Sequence, residues 1–258
     1  MRAGGIRPIR QMGVNGLFSF LQRWTHHASI EHQRIGIDIF FFLHRSKGDV
    51  ERLHTMLEPY WAAKEVHAVF DGKAHTKERE KELGERRESR KRARTILECL
   101  EDAPLSDLDV HSQALIHRKK KELVEQAWAP SKDYVEQAVS WLHSKGAIIH
   151  RPEEEADSYL VPLEQDGIID IIVSNDSDLI VRGAKRLLRP LRSEGYLDTV
   201  YMREELGFSM RQWTDFLALC RDMRTPDVVL AYSLMSVYKR KEVAMIRWEE
   251  VNGLPLLR

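Results

Sequence analysis

Residues 168–179 read Ile168-Ile169-Asp170-Ile171-Ile172-Val173-Ser174-Asn175-Asp176-Ser177-Asp178-Leu179. An apolar run of this length, rich in β-branched residues and ended by a polar loop, predicts a buried strand over 168–174. Two acids, Asp176 and Asp178, follow its carboxyl end. In an extended loop, residues two apart face the same side, so both can reach one site.

The same grammar recurs upstream. Residues 34–40, with Ile35-Gly36-Ile37-Asp38-Ile39, read as a second buried strand, and residues 66–70 as a third that ends at Asp71-Gly72. Between them Val50, Leu53, Leu57, Tyr60 and Trp61 recur at helical spacing. Strand, helix and strand in that order predict a right-handed parallel crossover. Residues 147–150 predict a short strand and Pro152-Glu153-Glu154-Glu155 the opening of a helix, kinked at Pro162. Weaker strands are expected at 186–191 and 199–201. Helices are expected from Leu17, Phe20, Leu21 and Trp24, from residue 131 to Gly146, around Met210, Trp213, Leu217 and Cys220, and from Thr225-Pro226 toward Trp248.

Asp38, Asp71, Glu155 with Asp157, and Asp176 with Asp178 therefore fall at the carboxyl ends of parallel strands, the edge where open α/β sheets bind ligands. Six carboxylates on one edge repel unless cations compensate. Oxygen-only donors select hard ions such as Mg²⁺, with Mn²⁺ a substitute. Two such ions, roughly 3.5–4 Å apart, can activate water and stabilise the leaving oxygen of a phosphodiester. Each acid has a plainer reading: Asp71-Gly72 as a turn, Asp176 and Asp178 as caps, Glu153 to Asp157 as an acidic first helical turn. Their joint placement at strand ends favours the metal.

Lysine plus arginine and aspartate plus glutamate each number 40, so net charge is zero, yet the charges are segregated. Residues 73–94 hold Lys77, Arg79, Lys81, Arg86, Arg87, Arg90, Lys91 and Arg92 with few apolar residues. That composition predicts a helix without a core face, projecting into solvent or onto a ligand. A solvated helix laced with Glu–Lys pairs is the competing reading. Residues 101–113 read as a mobile acidic loop, and Arg118-Lys119-Lys120-Lys121 begins another basic patch. Two cysteines, Cys99 and Cys220, exclude a disulfide framework. No apolar run approaches the roughly 20 residues of a membrane span. An intracellular protein, nuclear or cytoplasmic, monomeric and without membrane contact, is the expectation.

With these residues in view, the sequence resembles the XPG/flap-endonuclease family of structure-specific 5′ nucleases. Met12-Gly13-Val14-Asn15-Gly16-Leu17 is similar to the family's M-G-[IV]-x-G-L, and Ile37-Asp38 to its first metal-ligand strand. Val69-Phe70-Asp71-Gly72-Lys73 is similar to V-F-D-G-K, Glu155-Ala156-Asp157 to E-A-[DE], and Ser174-Asn175-Asp176-Ser177-Asp178-Leu179 to [ST]-x-D-[SM]-D-L. The resemblance implies a PIN-like α/β nuclease domain: a mostly parallel sheet, flanking helices and a helical arch made of the basic segment. It implies two Mg²⁺ held by Asp38, Asp71, Glu155, Asp157, Asp176 and Asp178. It further implies phosphate handling by Arg79 and Arg86, with Lys77 an alternative to the first, and nucleic-acid contacts from Gly13, Lys73, Arg87 and Arg90. The substrate class is DNA with 5′ flaps or ends. A ribonuclease on the same scaffold and a weakened nucleic-acid-binding homologue are the alternatives.

The expected organisation is a leader over 1–11, a nuclease region over 12–72, arch and loop over 73–130, a second nuclease region over 131–200 and a divergent helical segment over 201–258. Three departures from the family stand out. Eleven residues precede Met12, which the resemblance implies as the start of the active form. The family's seventh carboxylate lies in L-x-G-x-D-Y, for which Leu219-Cys220-Arg221-Asp222-Met223 offers Asp222 and, more distantly, Asp227. No glycine falls between Gly207 and Gly253, so the family's helix–two-turn–helix grip on duplex DNA is not legible, although Tyr238-Lys239-Arg240-Lys241 offers phosphate contacts.

Overall fold

A computed structural model describes residues 16–27, 29–72, 77–101, 109–190, 195–222 and 228–239. The strand expected over residues 34–40 is β2 (Arg34–Asp38), in parallel register with β3 (Glu65–Val69) on one side and β5 (Ile171–Val173) on the other. The parallel set is completed by β4 (Ile148–His150) beyond β3 and β6 (Arg186–Leu188) beyond β5. Two antiparallel strands close the far edge, β7 (Gly195–Asp198) and β1 (Thr25–His27), giving the order β1-β7-β6-β5-β2-β3-β4. The mostly parallel α/β sheet is thus as the sequence predicts.

The apolar runs are continuous because the sheet is covered on both faces. Ile35, Ile37, Ala68, Ile171 and Val173 meet α2 (Ile39–Ser46), α3 (Val50–Leu57) and α6 (Lys132–Ser144). Val69, Ile172 and Leu187 face the other way, onto α1 (Leu17–Leu21), α7 (Ala156–Gln165), α8 (Asp178–Val181), α10 (Met210–Asp222) and α11 (Val228–Tyr238). Gly36 faces α7, where an added Cβ would stand 2.4 Å from Ile169 and 2.7 Å from Leu160. None of the described helices is long and apolar enough to cross a membrane.

Several boundaries differ from the sequence reading. The strand ends at Asp38, not residue 40, because the Asp38 carboxylate accepts the Phe41 N–H and starts α2. Residues 199–201 are not a strand: Asp198 accepts the Tyr201 N–H at 3.0 Å and caps α9 (Thr199–Glu205). Thr199-Val200-Tyr201 has strand-like side chains, but a capping acid outweighs that weak preference. The helix expected from Pro152 begins at Ala156, and it runs through Pro162 as one element.

The basic segment is a 25-residue helix, α4 (Lys77–Glu101), paired with α5 (Val110–Ala127) as a helical hairpin. It does own a small core face, contrary to expectation. Ala93, 1 % exposed, packs on Leu123 and Ala127 beside Leu97 and Leu100. The acidic loop is shorter than residues 101–113, since Asp109 caps α5 through the Ser112 N–H; residues 102–108 lie outside the described residues.

Candidate metal centre and nucleic-acid edge

Asp38 ends β2, Asp71 stands two residues past β3, and Asp176 and Asp178 follow β5 at its carboxyl end. Glu155 stands just before α7, without a capping side-chain bond, and Asp157 lies in its first turn, after β4. Because β2 to β5 are parallel, all six carboxylates emerge at one edge of the sheet, and each is half-buried.

Backbone and hydroxyl groups aim them. Asp71 accepts the Ala156 N–H at 2.9 Å, tying the end of β3 to the start of α7. Gly72 makes this possible: its N–H reaches the Glu154 carbonyl at 2.7 Å, and a Cβ there would lie 2.2 Å from the Glu153 carbonyl oxygen. The sequence offered Gly72 as a turn residue; its structural role is close backbone approach. The buried Ser174 hydroxyl donates to Asp38 at 3.1 Å and accepts the Asp176 N–H at 3.2 Å, while Asp176 itself accepts the Asp178 N–H at 2.8 Å. The sequence motifs contain Gly72 and Ser174 but do not show these contacts, because only the folded chain brings their partners near.

The electrostatics record the crowding. Burial, then Asp71 and Asp176, raise the Asp38 carboxyl to about 7, against the hydroxyl and N–H bonds that lower it. Burial, then Asp176 and Asp38, raise Asp157 to about 8. Asp176 is raised by burial and by Asp178 and Glu155. One cation missed by the sequence reading offsets part of this: Arg182 approaches Glu155 at 3.7 Å and donates to Ser158 at 3.1 Å. Its signal was spacing, four residues beyond Asp178 on a helical turn.

The chemistry of the donor set is the kind a divalent ion compensates: the donors are oxygens, the groups repel one another, and burial makes their charges costly without a cation. As placed, no group of three or more His, Cys, Asp or Glu side chains among the described residues could hold a metal ion.

The arch borders this edge. His44 on α2 is pushed down by burial and by the positive charges of Lys47, Arg86 and Arg90, while Asp71 pulls it up, so it lies in the fields of both the arch and the acids. Arg86 and Arg90 are half-buried and Arg87 is exposed on α4. Arg90 is lowered by burial and by the positive charges of Arg86, Arg94 and Arg87. Lys77 and Arg79 lie on the first turn of α4, but their side chains are outside the described residues, as is that of Asp222 at the end of α10. Gly13, Lys73 and Asp227 lie outside them altogether.

Residues 148–222 match the family model for the XPG I-region. This span carries Glu155, Asp157, Asp176 and Asp178. No match is found among curated proteins. Among solved structures the chain is similar to the catalytic core of Rad2 in complex with DNA substrate, at 13 % identity and TM-score 0.62, covering 93 % of this chain and 73 % of that one. Flap endonuclease-1 from Methanococcus jannaschii is 16 % identical, with TM-score 0.55 and coverage of 88 % and 77 %. The Holliday junction-resolving enzyme GEN1, solved with product DNA and a Mg²⁺ ion, is 15 % identical, with TM-score 0.50 and coverage of 92 % and 55 %. At such identities the likeness establishes the fold.

Proposed function

We propose that this chain, whose residues 148–222 match the XPG I-region model and whose fold is similar to those of the Rad2 catalytic core and flap endonuclease-1, is a member of the XPG/flap-endonuclease family and a structure-specific nuclease hydrolysing phosphodiester bonds at 5′ flaps or ends of DNA. The observation that carries this reading is that Asp38, Asp71, Glu155, Asp157, Asp176 and Asp178 follow parallel strands at one sheet edge, while Arg86 and Arg90 of α4 and Asp71 all act on His44 beside it. Those six side chains would hold two Mg²⁺, which when bound supply Lewis-acid activation of water and stabilise the leaving oxygen.

The chain's own groups do the rest. Ser174 and the Ala156 N–H hold Asp38 and Asp71 in fixed orientations, so little reorganisation is needed when cations arrive. Arg86, Arg87 and Arg90 on α4 draw the phosphate backbone toward the acidic edge, with Arg79 or Lys77 nearer the arch's first turn. Arg182, 3.7 Å from Glu155, is a counterion for that carboxylate on the chain itself.

The test is Mg²⁺-dependent cleavage of labelled DNA and RNA flaps of matched sequence. Asp176→Asn and Asp71→Asn are each expected to lower turnover by at least about a hundredfold while DNA binding survives. Near-wild-type cleavage by either variant rejects the assignment, and preferential cutting of the RNA flap makes the chain a ribonuclease on the same scaffold. Retention of all six acids speaks against a purely binding homologue.

A further inference from the structure

Away from the metal-facing edge, four side chains form an unbroken hydrogen-bonded chain from the start of β3 to α7. Glu65 Oε1 lies 2.6 Å from His67 Nε2, His67 Nδ1 lies 2.9 Å from His150 Nε2, and His150 Nδ1 lies 3.2 Å from the Tyr159 hydroxyl. Glu65 and His67 are two apart on β3, and Val69 pairs with His150 on β4, so both histidines share one sheet face. Their rings stack at 5.1 Å and 12°. His67 is 3 % exposed, whereas the Glu65 side chain is 42 % exposed and reaches water.

Donor and acceptor chemistry leaves the neutral chain one arrangement. A carboxylate only accepts, so His67 carries its proton on Nε2 and offers the Nδ1 lone pair. His150 then donates from Nε2 and accepts at Nδ1 from the Tyr159 hydroxyl. All three bonds run in one direction, from Tyr159 to Glu65, and so polarise one another. The charged groups around it are Arg34 of β2, opposite Glu65 and bonded to Asp170, and Arg151, which pairs instead with Glu136. Burial and the neighbouring His67 hold His150 below the usual imidazole range, in keeping with a neutral His150.

Tyr159 is two residues beyond Asp157 and four beyond Glu155. We propose that the Glu65–His67–His150–Tyr159 chain is a positioning device that fixes the rotation of α7 against the sheet, and through it aims Asp157 and Glu155 at the metal edge. The proposal rests on the nuclease reading above for its consequence, though not for its geometry. Small displacements matter here: a misplacement of about 1 Å can cost a hundredfold in rate.

Tyr159→Phe keeps the ring and removes the last link; His67→Gln breaks the middle. Three measurements decide the matter: Mn²⁺ affinity by calorimetry without DNA, kcat and KM on a DNA flap, and imidazole ¹⁵N shifts of the full chain. Tyr159→Phe is expected to weaken Mn²⁺ binding about tenfold and lower kcat similarly, the usual scale for residues that orient metal ligands, with KM for DNA unchanged. The wild-type spectrum should show both histidines neutral with the proton on Nε2. Wild-type Mn²⁺ affinity in Tyr159→Phe, or an Nδ1–H tautomer on either histidine, overturns the proposal; lowered thermal stability with unchanged Mn²⁺ affinity does so too, since that is packing alone. If His67→Gln does not fold, Tyr159→Phe still decides. A wild-type chain that cuts no flap defeats the nuclease reading instead, while the Mn²⁺ titration and the spectrum still judge the positioning role.

Discussion

Asp157 is half-buried among acids, and that placement sets a trade between chemistry and stability. Its carboxyl is raised to about 8 and that of Asp38 to about 7, both well above their values in an unfolded chain. Between the unfolded and folded values the folded chain therefore binds more protons than the unfolded one, and stability falls as pH rises toward 8. Without metal, the urea midpoint is expected to be lower at pH 8 than at pH 6. Asp157→Asn should raise the pH 8 midpoint and flatten this slope while abolishing cleavage, because it removes a repelled charge that the chemistry needs. Mg²⁺ should stabilise the wild type more at pH 8 than at pH 6. Urea titrations at the two pH values, with and without Mg²⁺, check all three outcomes.

At the scale of elements, the junction of β3 with α7 is made by backbone contact. Gly72→Ala would set a Cβ 2.2 Å from the Glu153 carbonyl oxygen, so residues 152–155 must move and draw the Asp71–Ala156 bond apart. Turnover on a DNA flap is expected to drop at least about tenfold, with the far-UV spectrum retained. The arch obeys a different rule. Among the described residues its two helices meet through the small cluster around Ala93, Leu123 and Ala127, reinforced by the Gln126–Ser89 bond at 2.7 Å and the Arg94 guanidinium on the Ala127 carbonyl. Leu123→Ala should cost the hairpin about 2–3 kcal/mol and leave the sheet untouched, read as faster limited proteolysis within residues 77–127 with an unchanged main melting transition.

For the molecule as a whole, Glu164 fastens a covering helix to the parallel sheet. It is 4 % exposed on α7 and accepts the N–H groups of Lys185 and Arg186 at 2.6 and 2.7 Å, which ties α7 to the start of β6. Burial raises it to about 7 despite those bonds. Glu164→Ala would strand two backbone donors in the interior, at a cost of about 1–3 kcal/mol in global urea unfolding. Because Glu164 lies at the sheet edge opposite the acids, the residual folded enzyme should keep its Mg²⁺ requirement.

Periodicity and strand-end acids made the parallel core and four of its carboxylate stretches legible, since alternation of 2.0 and 3.6 residues and the order of strand and helix are properties of the chain itself. The six core acids could be named because each closes or follows a predicted strand. What lies between distant segments could not be named: that Gly72 must yield its Cβ to Glu153, that Ser174 spans Asp38 and Asp176, that Arg182 meets Glu155, and that two histidines 83 residues apart hydrogen-bond across β3 and β4. The antiparallel edge of β7 and β1 escaped for a like reason, as three- and four-residue strands carry too little pattern to outweigh a capping aspartate. The sequence by itself determined which residues end the strands, and hence the chemistry they can support. The tertiary structure alone decided how those residues are aimed, because aim depends on contacts whose partners are far apart along the chain and meet only when both faces of the sheet are buried.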